Sequence, residues 1–320
     1  MIGIFKNNNP LALLMLALLA YLPAINAEAT VNAAVPPGST AILKALSEYL
    51  SFLDGSKGML GKIIFTALLL AEALILNKII TDHKLMDRAG FVPAMSFLLL
   101  NAMLPFQTSP VFLVLNALIL IVFKLLIAMY KENNANNKLL LTGFIVGCMA
   151  SMNTNFLILF CWIVICIMIM RPASIREWLL AITGFFLPFY FIFSGLYLLE
   201  NLNSPMVFPP FSIGFNLPPL SPSVWSKTGL FLVLPWIGML SFNRQIGKMM
   251  IQARKAYLVM LILVLATLVI CLLSIKDIST TIPLMLVPSS LLFSPLFLAF
   301  KKNFIPNLIV LVLIILSMLR

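Results

Sequence analysis

The sequence predicts an all-α protein: a polytopic bundle of transmembrane helices with about eleven spans and a cytoplasmic N-terminus. Three observations predict it. Hydrophobic residues make up 62% of the 320, and mean hydropathy is +1.09, whereas about half of a soluble domain is apolar. From Leu11 onward, apolar segments follow one another with only short polar links, and about 20 such residues suffice to cross a bilayer. The basic residues also fall mainly on one side when the chain is threaded back and forth. No stretch is long and polar enough for a separate soluble domain, so residues 1–320 read as one transmembrane domain.

The first span lies near 10–27. It mimics a secretory signal: Lys6 is a basic flank, Leu11–Tyr21 is apolar, and Ile25-Asn26-Ala27 has the small residues of a cleavage site. We read it as a retained first span. The first outer loop, about 28–58, carries Ile42, Leu43, Leu46, Tyr49, Leu50 and Leu53 at helical spacing, with Lys44 and Glu48 as an i,i+4 pair on the polar side. That pattern predicts a helix lying on the membrane surface.

The second span lies near 59–78. The third, near 91–106, is interrupted by Pro93 and Pro105. The fourth, near 110–130, contains Lys124. The fifth and sixth, near 139–151 and 155–170, share one apolar run that is too long for one span. Met152-Asn153-Thr154-Asn155 breaks it, predicting a tight turn at the membrane face. The seventh lies near 177–199. The second outer loop, about 200–227, holds six prolines (Pro205, Pro209, Pro210, Pro218, Pro219 and Pro222) with Phe208, Phe211 and Phe215 among them. Proline fixes φ and removes donors, so this loop reads as an ordered irregular lid or as a simple tether. The last four spans lie near 228–242, 257–274, 282–300 and 305–319.

Charge tests the threading. With the N-terminus inside, fourteen basic residues fall on the cytoplasmic side and six outside; Lys124 lies within a span. This is the positive-inside pattern of a multi-pass membrane protein. It also accounts for the net charge of +11 without a nucleic-acid partner. The four cysteines (Cys148, Cys161, Cys166, Cys271) lie in apolar segments with no C-x-x-C pair, and His83 is the only histidine. We therefore expect no metal site, no Ser-His triad and no cofactor.

Glu72 and Lys124 are the informative charges. Each lies about six residues from the cytoplasmic end of its predicted span, at similar depth. An unpaired charge there costs at least about 2.5–3.5 kcal/mol on insertion scales, so we expect a buried ion pair. It reads as a clamp between helices, as a proton or substrate site, or as two charges snorkelling separately. In the first outer loop, Glu28 and Asp54 are the candidate catalytic carboxylates, suited to deprotonating an acceptor or to holding a metal beside a lipid phosphate. Lys44 already accounts for Glu48. Gly55, Lys57 and Gly58 lead into the second span and suit a backbone nest for a phosphate, or a hinge. Gly143-x-x-x-Gly147 followed by Ala150 and Ser151 is a small-residue face for close helix packing. Asn101, Asn116, Asn153 and Asn155 read as interhelical hydrogen bonds or as the lining of a polar cavity. The loop around Arg244–Lys255, with four basic residues, suits anionic lipid.

Several stretches resemble an uncharacterised family of polytopic inner-membrane proteins of the Bacteroidota: Met1-Ile2-Gly3-Ile4-Phe5-Lys6 with Asn9-Pro10, Leu76-Asn77-Lys78 through Asp87-Arg88, Phe91–Pro105, Arg171-Pro172 with Arg176-Glu177-Trp178, Gly184–Pro188, and Met250–Lys255. The chain departs from that pattern at Pro105-Phe106-Gln107-Thr108, where no acid or Glu-Trp follows the proline, and at Met152–Asn155 in place of an aromatic-rich turn. The resemblance implies a membrane bundle and carries no reaction.

The large first outer loop, the short spans and the Pro- and Phe-rich second loop also give a fold-level likeness to integral-membrane glycosyltransferases. The functional expectation is a protein of cell-envelope biogenesis. Its partners would be membrane lipids and a polyprenyl-phosphate-linked sugar. A noncatalytic membrane subunit or scaffold, and a transporter, are the alternatives.

Overall fold

A computed structural model describes residues 2–6, 10–26, 41–50, 58–86, 90–104, 110–130, 132, 134–171, 174–198, 222–243, 250–273, 281–300 and 304–318. Among these residues the secondary structure is helical, with no strand. The helices are α1 (Ile2–Lys6), α2 (Pro10–Asn26), α3 (Ala41–Tyr49), α4 (Gly58–Asp82), α5 (Val92–Met103), α6 (Pro110–Ala128), α7 (Asn136–Met152), α8 (Ile158–Met170), α9 (Ile175–Leu198), α10 (Pro222–Asn243), α11 (Ile251–Leu273), α12 (Leu286–Ala299) and α13 (Phe304–Met318). A helix occupies each of the eleven predicted positions. Five helical segments are long and apolar enough to cross a membrane: α4, α9, Pro222–Leu240 of α10, α11 and Ile282–Ala299. The second of the predicted loops is shorter than its expected bounds, because α10 begins at Pro222, a residue whose fixed φ suits the first helical turn.

α4 outlasts its apolar run because of how it ends. Lys84 sits at φ 48, the Leu85 N–H reaches the Ile80 carbonyl at 3.0 Å and the Lys84 N–H reaches Thr81 at 3.1 Å. This pair of bonds is a Schellman ending with lysine in the place glycine usually takes. It carries the helix through Asp82, four residues past the predicted edge.

Two helices form the centre. Every residue of α5 is buried, and so is every residue of α12 from Leu286 to Phe297. They pack on each other; α2, α4, α10 and α13 pack on α5, and α10, α11 and α6 on α12. The outer helices keep an apolar stripe exposed, such as Ile63, Ile64, Leu68 and Ile75 of α4 and Phe186, Tyr190, Phe191 and Phe193 of α9. A stripe of that kind suits lipid tails.

The predicted small-residue face is where α7 meets α9. A Cβ on Gly143 would collide with the Ala181 carbonyl oxygen, one on Gly147 with that of Phe185, and one on Gly184 with that of Leu140. The backbones touch directly, as small residues permit in lipid. The predicted break at 152–155 is a corner inside the protein. Asn153 turns extended at φ −146, ψ 125, and its Oδ1 accepts the Asn155 N–H at 3.0 Å. Both asparagines are buried. The predicted surface helix is α3; it packs against α6 and α7 with Leu43 buried, so protein covers part of its apolar face.

The end of the bundle where α4 finishes carries a polar collar. Lys138 Nζ donates to Glu132 Oε2 at 2.5 Å, and Gln252 Nε2 to the Ile127 carbonyl at 3.3 Å. Lys255 Nζ donates to the Met170 carbonyl at 3.2 Å and lies 5.1 Å from the centre of the Tyr130 ring. Arg171 Nη2 meets Glu177 Oε1 at 2.7 Å. At the same end, the Phe91 N–H donates to the Phe5 carbonyl at 2.8 Å and the Ile2 N–H to Asn307 Oδ1 at 2.9 Å, which ties α1 to the bundle.

Candidate functional site

α4 has 25 residues, so it is about 37 Å long at 1.5 Å per residue. Its buried stripe runs Gly61, Phe65, Leu69, Glu72, Ala73, Leu76, Asn77, Ile79 and Ile80. Glu72 sits ten residues before Asp82, about 15 Å from that end of the helix, and is only 6% exposed. Its Oε2 has no hydrogen-bond partner.

The expected partner is elsewhere. Lys124 is exposed, four residues before the end of α6 and therefore about 6 Å from it. No ion pair joins it to Glu72. The Schellman ending buries Glu72 deeper than its apolar run suggested. The early end of α6 at Ala128 leaves Lys124 near the edge, on the outer face, where a long aliphatic stem carries its ammonium toward water. Of the three readings of this pair, snorkelling describes Lys124. That lysine acts instead on His83, just past the end of α4. Burial holds the His83 imidazole below its ordinary range; Asp82 opposes this, and Lys124 and Lys138 add to it.

Buried amide side chains also lie on two of the helices that pack on α4. Asn101 of α5 is nine residues in from Val92, about 14 Å, and Asn116 of α6 is twelve residues from Ala128, about 18 Å. Both helices pack on α4. Asn101 is 5% and Asn116 3% exposed, and Asn101 Nδ2 and Asn116 Oδ1 are without hydrogen-bond partners. Asn77, one and a half turns beyond Glu72, likewise has a buried Oδ1 with no partner. Sequence reasoning singled out Asn101 and Asn116 but passed over Asn77.

A second polar seam runs between α5 and α12. Ser96 Oγ donates to the Ser290 carbonyl at 3.0 Å or to Pro93 at 2.8 Å. Ser290 and Ser294 bond back to Val287 at 2.7 Å and Leu291 at 2.9 Å in their own helix. Back-bonded hydroxyls of this kind satisfy themselves, so the seam serves packing. Only Ser289 leaves its Oγ without a partner.

Glu28, Asp54, Gly55 and Lys57 lie outside the described residues. Gly58 opens α4 with φ +82 and no atom within 4 Å of where a Cβ would sit. Between α2 and α4 runs an apolar groove of about 650 Å³, open to the surroundings and lined by Leu14, Ala17, Leu18, Tyr21, Ile63 and Leu70. Thr66, also in its wall, turns its hydroxyl to the Lys62 carbonyl at 2.6 Å and so offers the groove no free donor. Among the described residues, no three His, Cys, Asp or Glu come together to hold a metal ion. Comparison with protein-family models, with curated proteins and with solved structures returns no match.

Proposed function

We propose that this chain is a bacterial inner-membrane protein that crosses the bilayer eleven times with its N-terminus in the cytoplasm. In this reading it handles a lipid-linked envelope substrate, with a polyprenyl-phosphate-linked sugar as the partner of best fit. The observation that carries the reading is the groove between α2 and α4, almost wholly apolar and open sideways, as a long methyl-branched polyprenyl chain requires. The groove extends along the half of α4 that begins at Gly58. The chain leaves α2 at Asn26, two residues before Glu28, and enters α4 at Gly58, one residue after Lys57. A lipid lying in the groove would thus present its phosphate to the first outer loop. There Gly55, Lys57 and Gly58 are the phosphate ligands. Glu28 or Asp54 is the base that takes the acceptor's hydroxyl proton as polyprenyl phosphate leaves the sugar.

The test is the envelope glycolipid profile of a deletion strain. It is complemented with wild type, with a groove-filling Ala17→Phe, Ala67→Phe double variant, and with a Glu28→Gln, Asp54→Asn double variant. The reading expects an altered glycan ladder on deletion, restored by wild type and by neither variant at equal membrane levels. An unchanged ladder, or full rescue by the groove-filled protein, overturns it. The threading is checked separately with a membrane-impermeant maleimide on intact cells. Tyr49→Cys should label at once, and His83→Cys only after permeabilisation.

A further inference from the structure

A carboxyl group in the middle of a helix bundle needs a counter-charge, a hydrogen-bond network or a proton. Glu72 lacks the first. Among the described residues no ion pair reaches it, and the charged or titratable groups on the described helices packed around it do not face it. α2 contributes only the exposed phenol of Tyr21, α5 contributes none, and α6 contributes Lys124 on its outer face. On α4 itself, Lys62 stands about 15 Å away, Lys78 about 9 Å and Asp82 about 15 Å along the axis. The second is incomplete, because Oε2 has no partner.

We propose that Glu72 is a proton-binding site inside the bundle, on a helix that packs against the two helices carrying the buried amides of Asn101 and Asn116. A bound proton removes the charge that this depth penalises. The same proton gives the carboxyl a donor, and Asn116 Oδ1 is a buried acceptor without one. Asn101 Nδ2 is a buried donor without an acceptor, suited to the carboxylate once the proton leaves. A buried carboxyl without a counter-charge, inside a bundle that also buries unpartnered amides, is the arrangement a proton-coupled membrane protein needs. Substrate movement or a lipid reaction could each be driven through it. The inference is independent of the groove: it concerns the α5 and α6 side of α4, whereas the groove lies on the α2 side.

The test uses the full chain in native membranes and dicyclohexylcarbodiimide, an apolar reagent that reacts with protonated carboxyls in lipid. The carboxyl proton adds to one carbodiimide nitrogen as the carboxylate oxygen bonds to the central carbon. Acyl migration to nitrogen then leaves a stable N-acylurea, with no leaving group. Mass spectrometry of the α4 peptide should show the adduct on Glu72, and the adduct should decline as pH rises. It should be lost in Glu72→Gln, retained in Glu72→Asp, and unchanged in Lys124→Gln. Asn116→Leu should shift the pH at which labelling declines while membrane levels hold.

Absence of the adduct from a folded wild-type protein overturns the proposal. So does labelling that a water-soluble carbodiimide reproduces, which would make Glu72 a solvent-exposed acid. Protection by sodium or lithium at constant pH overturns it in favour of a metal-cation site. A rise in labelling in Lys124→Gln would restore the ion pair and overturn the proposal, because a paired lysine holds the carboxyl deprotonated. Glycolipid rescue by Ala17→Phe, Ala67→Phe would count against the groove reading and leave this result untouched.

Discussion

Gly147→Ala adds one methyl group to the tightest surface in the bundle. The new Cβ would collide with the Phe185 carbonyl oxygen, while the Phe185 carbonyl carbon lies 3.1 Å and Pro188 Cγ 3.0 Å from it. Ordinary contact begins near 3.4 Å. Two of these three atoms are backbone and the third belongs to a proline ring, so none can swing aside. α7 and α9 must therefore separate, which also loosens the contacts at Gly143 and Gly184.

Overpacking of this kind costs about 1–3 kcal/mol, against a helix-propensity gain of up to about 1 kcal/mol for replacing glycine. The expected net loss is about 1–2 kcal/mol, a factor of roughly 5–30 in the folded ratio. Gly195→Ala in α9 and Gly229→Ala in α10 are the controls. Neither added methyl would have any atom within 4 Å, so each should be neutral or stabilising by up to about 1 kcal/mol. The assay is reversible unfolding in mixed micelles, with Gly147→Leu as a stronger perturbation that should fall below both. Wild-type stability in Gly147→Ala, or an equal loss in Gly195→Ala, would refute the reasoning that direct backbone approach holds this pair.

Three other outcomes are expected. Glu177 accepts both the Arg171 guanidinium and, at 3.1 Å, the Ser174 N–H, the glutamate half of a capping box at the start of α9. Glu177→Ala should cost about 2–3 kcal/mol in the same assay, with Arg171→Ala coupled to it in a double-mutant cycle. Trp162→Phe removes the indole bond to the Val259 carbonyl that joins α8 to α11 at 3.0 Å. It should cost about 1 kcal/mol. His83 is held below its ordinary 6.5 in the folded protein, so the unfolded chain binds more protons as pH falls through that value. Folding stability should therefore decline from neutral to mildly acidic pH. His83→Gln should flatten that decline, and an unchanged slope in the variant would assign the effect elsewhere.

The positions of the helices were legible in the sequence because apolar runs mark them, and five of those segments are long enough to cross a membrane. Their ends were less legible. α4 passes its apolar edge because Lys84 adopts a left-handed turn, a conformation that lysine does not advertise. The pairing of Glu72 with Lys124 rested on counting residues from both helix ends, and it fails because α4 runs on to Asp82, α6 stops at Ala128 and Lys124 lies on an exposed face. The close approach of α7 and α9 was readable from Gly143 and Gly147, where absence of a side chain is itself the signal. The central place of α5 and α12 was not readable. Within a chain that is apolar nearly everywhere, hydropathy does not distinguish a face toward lipid from a face toward protein. The serines of α12 and the prolines of both helices were the available hint.

That central pair bears on where polar chemistry can occur. α5 has 12 residues, about 18 Å, well short of the roughly 30 Å of a hydrocarbon core. The backbone turns extended at Leu104, with φ −71 and ψ 132, while still buried. Irregular backbone at membrane depth is tolerated only where protein or a water-filled cavity surrounds it. Exposed apolar stripes are carried by the long helices α4, α9 and α11, of 25, 24 and 23 residues, and also by the shorter α2 and α13, of 17 and 15. α5 differs in having every residue buried among other helices, which lets it stop early. An early stop frees carbonyl groups and makes room for amides such as Asn101 near its end. Glu72 lies on the stripe of α4 that faces this interior. Its burial beside a helix that ends within the bundle is therefore the arrangement in which a proton could be held without exposing charge to lipid.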